Sequence, residues 1–133
     1  MEKIEKSTIY RLRNGKEFID LNQAKDWLLE EIIEAQSKKD ILRNYARELY
    51  KRYYYLIKSK DPYKGVPKIG SRFPYIDPPI TVTSKNRKYL KEVVKEVFLN
   101  EYKIAASQYI GKKKEYYNLI EDLKDVENAL KAE

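Results

Sequence analysis

The stretch SKDPYKGVPKIGSRFPYIDPPITVT, residues 59–83, decides how this chain is organised. It holds all five prolines, Pro62, Pro67, Pro74, Pro78 and Pro79, together with Gly65 and Gly70. Proline fixes φ and offers no N–H, so no regular helix crosses the segment. A structureless connection longer than about 12–15 residues is uncommon in a compact domain and usually either works or is disordered. Tyr63, Phe73 and Tyr75 favour order here, at least with a partner bound.

On both sides of this segment the apolar spacing is helical. Asp20 followed by Gln23 has the form of a capping box. It opens a helix over residues 21–37, with Leu21, Ala24, Leu28, Ile32 and Ala35 in register and Trp27 and Leu29 widening the apolar side. Asp40 caps a second helix over residues 40–58, whose stripe is Leu42, Ala46, Leu49, Tyr53 and Leu56. After the break, Ser84 caps a third helix reaching residue 110, with Leu90, Val93, Val94, Val97, Phe98, Ile104 and Ala105 on its buried side. Gly111 offers a C-cap or a kink, and Tyr116, Leu119, Ile120, Leu123, Val126 and Leu130 mark a fourth amphipathic helix. The predicted fold is therefore mainly α, a single domain over residues 1–133 resembling a four-helix bundle with a long Pro-rich crossover between helices two and three. Its segments are an N-terminal arm or hairpin at 1–19, two helices at 20–58, the loop at 59–83 and two helices at 84–133.

Residues Thr8–Ile19 place Asn14-Gly15 between two short runs of β-formers. Asn and Gly tolerate the positive φ of a type I′ turn, which predicts a hairpin. An isolated two-stranded ribbon is marginal, so an extended arm that orders on a partner is the alternative.

Composition narrows the function. The 133 residues include no cysteine and no histidine, which removes thiolate chemistry, the commonest general base and the commonest zinc ligand. No catalytic residue, metal or cofactor is expected. No run approaches the roughly 20 apolar residues of a membrane span, and the N-terminal residues 1–6 lack the apolar core of a signal peptide. A chain made in soluble form is expected.

The net charge of +7 is unevenly spread. Residues 1–37 carry 6 basic and 8 acidic side chains, residues 38–114 carry 20 and 7, and residues 115–133 carry 2 and 6. A strongly basic centre between mildly acidic ends points to a polyanionic partner. On the second helix Arg43, Arg47, Lys51 and Lys58 fall within an arc of about 80°, with Tyr50 and Tyr54 on or beside it. Lys60, Lys64, Lys68 and Arg72 continue the series through the loop at intervals of four. Lys88, Lys91 and Lys95 share an arc of about 60° on the third helix. Together these residues predict a surface that tracks phosphates and gains affinity from counterion release without reading bases. The competing reading is a set of ordinary solvated helix faces whose alkyl stems shield the core edge.

Thirteen tyrosines against three phenylalanines imply much interface to satisfy. Lys112-Lys113-Lys114 sits where cations oppose the dipole of a new helix, so either the helix continues through Gly111 or the cluster faces an anion. Signals for an enzyme are weak. Glu30 and Glu34 lie at metal-sharing spacing without histidine support, and Glu92–Lys95 and Glu101–Lys103 lack the strand context of a nuclease.

The small cysteine-free helical chain, rich in tyrosine, with a basic centre and the proline-broken run Phe73-Pro74-Tyr75-Ile76-Asp77-Pro78-Pro79, resembles the major coat proteins of filamentous archaeal viruses, particularly the lipothrixviruses. The resemblance rests on Arg43 through Lys95, including Tyr53-Tyr54-Tyr55, and is one of character rather than of a diagnostic motif. It implies a non-catalytic subunit of a virion that self-associates or pairs with a related sister subunit, clasps double-stranded DNA and packs into a helical filament beneath a lipid envelope. The alternatives are a small DNA-binding transcription regulator, a metal-dependent nuclease and a peripheral membrane protein.

Overall fold

The computed structural model describes residues 1–4 and 9–133, with residues 2–4 described in backbone alone. Thr8, the first residue of the expected hairpin stretch, lies outside the described residues. Two helices account for most of the chain: α1, Leu21–Lys58, and α2, Arg87–Ala132. The four-helix expectation is thereby corrected, because each expected helix pair is one continuous helix. The run Ser37-Lys38-Lys39-Asp40 contains neither proline nor glycine, and Asp40 lies inside the helix, not at its cap. Lys38 and Glu34 pair at 2.8 Å across this junction. Gly111 is likewise helical, with no cap or break there. One interior glycine costs about 1 kcal/mol relative to alanine, too little to end so long a helix. Helix α2 runs on through Lys112-Lys113-Lys114, and Lys112 pairs with Glu115 at 3.3 Å.

The helix starts have local causes. The Asp20 carboxylate accepts the Asn22 N–H at 2.8 Å and its carbonyl accepts the Ala24 N–H at 3.1 Å, which caps α1. At α2 the cap is formed by Thr83 and Asn86, not by Ser84. The Thr83 N–H donates to Asn86 Oδ1 at 2.8 Å, and the Asn86 N–H donates to Thr83 Oγ1 at 3.3 Å.

The chain divides into two compact units. The terminal unit, Met1–Ile41 with Gln108–Glu133, carries an antiparallel sheet of β1 (Glu2–Ile4), β2 (Ile9–Arg11) and β3 (Glu17–Phe18) in that order. The hairpin reading holds over the arm, with Tyr10 opposite Phe18 and Arg11 opposite Glu17. Its turn is longer than the two-residue form. The Gly15 N–H donates to the Leu12 carbonyl and the Leu12 N–H to the Lys16 carbonyl, both at 2.9 Å, and Gly15 takes φ 89°. This is a three-residue loop ending in a left-handed glycine. Leu12, Leu21, Ala24, Leu28 and Val126 form the core of this unit.

Above that core lies a charge cluster. Asp122, 2% exposed, accepts hydrogen bonds from the Arg13 guanidinium and backbone N–H, and the Met1 ammonium bonds Asp125 at 2.9 Å. The hydrogen bond from the Met1 ammonium, reinforced by its charge and that of Arg13 and opposed by partial burial, holds the Asp125 carboxyl below the ordinary carboxylate value. A depressed carboxyl contributes stability that is full above its unfolded pKa and is lost as pH falls through the lower folded one. The melting temperature is therefore expected to fall on acidification below the ordinary aspartate range, and Asp125→Asn to flatten that dependence in a pH series of thermal melts.

The central unit, Leu42–Ser107, contains the Pro-rich segment, which is ordered as a second antiparallel hairpin of β4 (Arg72–Phe73) and β5 (Ile80–Thr81). Hydrogen bonds from Val82 N–H to the Ser71 carbonyl (2.8 Å) and from Gly70 N–H to the Val82 carbonyl (2.9 Å) extend its pairing. Phe73 and Val82 are fully buried against Leu56, Leu90 and Val94, while Ala46, Leu49 and Ala105 form a second small cluster. Gly65 sits at φ 85°, and a Cβ there would lie 2.7 Å from Leu56 Cδ2. Gly65→Ala is expected to cost about 2–4 kcal/mol, combining left-handed strain with overpacking. Gly70→Ala, at φ 91° with nothing within 4 Å, carries the strain alone and is expected to cost about 1–2 kcal/mol. Urea denaturation of both variants measures the difference.

Candidate nucleic-acid interface

All twelve residues singled out from sequence, Arg43, Arg47, Lys51, Tyr54, Lys58, Lys60, Lys64, Lys68, Arg72, Lys88, Lys91 and Lys95, lie in the central unit. That unit carries fifteen basic and six acidic side chains, a net of +9, whereas the terminal unit carries thirteen and fifteen. The charge asymmetry read from the sequence thus coincides with a structural boundary.

Helix α1 places the first group. Its stripe of Ala46, Leu49 and Leu56 is buried, and the side turned away from that stripe presents Arg47, Lys51, Tyr54 and Lys58 to solvent, with Arg43 partly buried beside them. Among the described residues, Arg47, Lys60, Lys64, Lys68 and Lys88 are exposed and make no ion pair. Lys51 reaches Glu48 at 3.5 Å, an exposed pair contributing little. The Arg72 guanidinium donates to the Pro79 carbonyl at 3.0 Å, which ties it to its own hairpin while the residue remains exposed.

Two of the lysines on α2 stand apart from this set. Lys91 is 8% exposed, and its ammonium donates to the Asp61 carbonyl at 2.6 Å. Helical spacing puts it beside Lys88 and Lys95, but the loop that follows α1 folds over it. Its charge fastens that loop to α2 and is withdrawn from any surface ligand. Lys95 is partly buried and pairs with Glu92 at 2.7 Å. Lys91→Met is expected to destabilise the protein by about 1–3 kcal/mol, because the Asp61 carbonyl loses a charged donor. Ligand binding measured on the folded variant is expected to keep its salt dependence, unlike that of variants at the exposed lysines.

Aromatic rings interleave with the cations. Tyr50 and Tyr54 lie nearly parallel, 25° apart with centroids at 6.5 Å, and Tyr54 meets Tyr55 edge-on at 6.4 Å. Tyr50 also packs on Tyr102 of α2 at 5.2 Å. Lys58 Nζ stands 5.6 Å from the Tyr54 ring centroid. Tyr50, Lys51, Tyr54 and Tyr55 line a shallow open hollow on this face.

Tyr102 and Arg87 were not singled out from sequence, and Tyr55 was counted only within the run Tyr53-Tyr54-Tyr55. Tyr102 follows Phe98 by four residues and precedes Ala105 by three, a spacing that assigns it to their face. Arg87 left no comparable signal. Its guanidinium lies 3.9 Å over the Tyr63 ring, a contact made by the Pro-rich loop.

In the terminal unit Glu34 is paired with Lys38, whose hydrogen bond and charge hold the Glu34 carboxyl below its ordinary value. Among the described residues no three carboxylates gather as a metal site, and no helix is long and apolar enough to cross a membrane. No protein-family model matches the chain, and neither a curated protein nor a solved structure shows significant similarity to it.

Proposed function

We propose that the chain binds the nucleic-acid backbone, that of double-stranded DNA included, without sequence selection, and serves as a structural packaging subunit of the kind that coats a filament. The observation that carries this reading is the concentration of positive charge in one compact unit, where, among the described residues, Arg47, Lys60, Lys64, Lys68 and Lys88 are exposed and form no ion pair. Such cations release condensed counterions when they meet phosphates, which supplies affinity independent of sequence. Among the described residues the exposed cations follow one face of α1 and the Pro-rich loop, an arrangement suited to phosphate contacts, which carry no sequence information directly.

A packaging subunit must also meet its neighbours. Ile33, Ile41 and Ile110 of the terminal unit and Ile57 and Ile104 of the central unit are each between 46% and 70% exposed, apolar side chains that self-association or a sister subunit would cover. The test is competition between two unrelated random duplexes for the protein, followed by electron microscopy of the complex. Equal competition with filament formation supports the proposal. A strong preference for one sequence replaces it with a regulator, and binding only to anionic vesicles replaces it with a peripheral membrane or envelope role.

A further inference from the structure

We propose that the tyrosines of the basic face give it a preference for unpaired strands, with exposed bases stacking on Tyr54, Tyr55 and the outer part of Tyr50 while Arg47, Lys51 and Lys58 hold the phosphates. This inference rests on the nucleic-acid reading above and names the form of ligand the same face takes best.

Three observations lead to it. The rings are accessible: Tyr50, Tyr54 and Tyr55 are 48%, 43% and 65% exposed on a helix whose buried stripe is Ala46, Leu49 and Leu56. Their arrangement is ordered, since Tyr50 is braced on Tyr102 and holds Tyr54 at a 25° angle, so little ordering entropy is spent when a flat ligand arrives. Finally, the cations belong to the same helix turns. Arg47 and Lys51 lie one turn apart, Tyr54 follows Lys51 by three residues, and Lys58 reaches back over the Tyr54 ring at 5.6 Å.

Interleaved cations and aromatic faces are the chemistry of single-strand binding, because every base has a π-face and stacking tolerates any sequence. A duplex has its bases stacked on one another and offers this face only phosphates. The unpaired strand gains both contributions. Rings serving self-association would gain nothing from cations on every adjoining turn, since a second copy brings like charge to the same face.

The experiment is a pair of fluorescence-anisotropy titrations of the full chain at matched salt, with an oligothymidylate of about 20 nucleotides, long enough to span a typical single-strand site, and a random duplex of the same length. The wild type is expected to bind the single strand at least about tenfold more tightly, one stacking contact being worth roughly that factor. Tyr54→Leu with Tyr55→Leu is expected to remove most of that advantage, lowering single-strand affinity far more than duplex affinity. The corresponding Phe pair is expected to retain it, because stacking needs the ring and not the hydroxyl. Leaving Tyr50 on Tyr102 preserves the helix contact, and circular dichroism of each variant verifies the fold. Equal affinity of the wild type for both probes, or a Leu pair that keeps the preference, overturns the inference and leaves the backbone reading standing. Binding of neither probe at low salt overturns the backbone reading itself.

Discussion

Replacing Arg47, Lys51 and Lys58 together by glutamine is expected to weaken binding to random duplex DNA several-hundredfold near 0.1 M salt and to flatten its salt dependence. Each phosphate contact contributes a slope of about −0.9 in log K against log salt, so three lost contacts reduce the slope by about 2.7 and the affinity by a comparable number of decades near 0.1 M. These three residues are chosen because all are exposed and none supports the buried clusters of the central unit. Glutamine keeps helix propensity, so the variant is expected to melt near the wild-type temperature. An isothermal salt series on both proteins, read beside thermal melts, checks the two halves of this expectation.

A large effect on stability is expected at Asp122→Ala, about 1–3 kcal/mol, the usual cost of leaving a buried donor without its acceptor. Asp122 is 2% exposed and serves the Arg13 side chain and backbone N–H, with the Met1 ammonium 3.7 Å away. It fastens the loop of the N-terminal hairpin to α2, and its loss leaves the Arg13 amide without its acceptor while the half-exposed guanidinium keeps Asp125 at 3.2 Å. Asp122→Asn keeps an acceptor and is expected to cost less. Urea unfolding monitored at Trp27, which packs against the core of the same unit, reads the change.

Much of this architecture was legible in the sequence, and the exceptions have physical causes. The buried positions on both helices follow the apolar spacing closely, with Leu21, Ala24, Leu28, Ala46, Leu49, Leu56, Leu90, Val94, Ala105 and Val126 all in the core. Ile104 departs from it at 60% exposure. The errors in helix number came from reading cap-type residues as ends. Asp40 and Gly111 both favour termini, but a terminus also needs the backbone to leave the helix, and no proline forces it to do so at either place. The second hairpin was hidden because its strands are two residues long and Pro74, Pro78 and Pro79 fill the connection between them.

The basic face divides in the same way. The exposure of Arg47, Lys51 and Lys58 was legible because local helical geometry alone sets their direction. Lys91 was misplaced because its fate depends on a carbonyl thirty residues earlier, at Asp61, which no periodicity reveals. Arg87 and the Tyr50 brace on Tyr102 were invisible for the same reason, being contacts between elements distant in sequence.

The central claim is that the net charge of the central unit is spent on phosphates. The most direct measurement is the slope of log K against log salt for the wild-type chain on random duplex DNA. A steep negative slope, about −4 or beyond, is expected from at least five simultaneous phosphate contacts. A slope near zero, or no binding at low salt, would contradict it and show that the exposed cations of α1 and the loop serve only to solvate the surface.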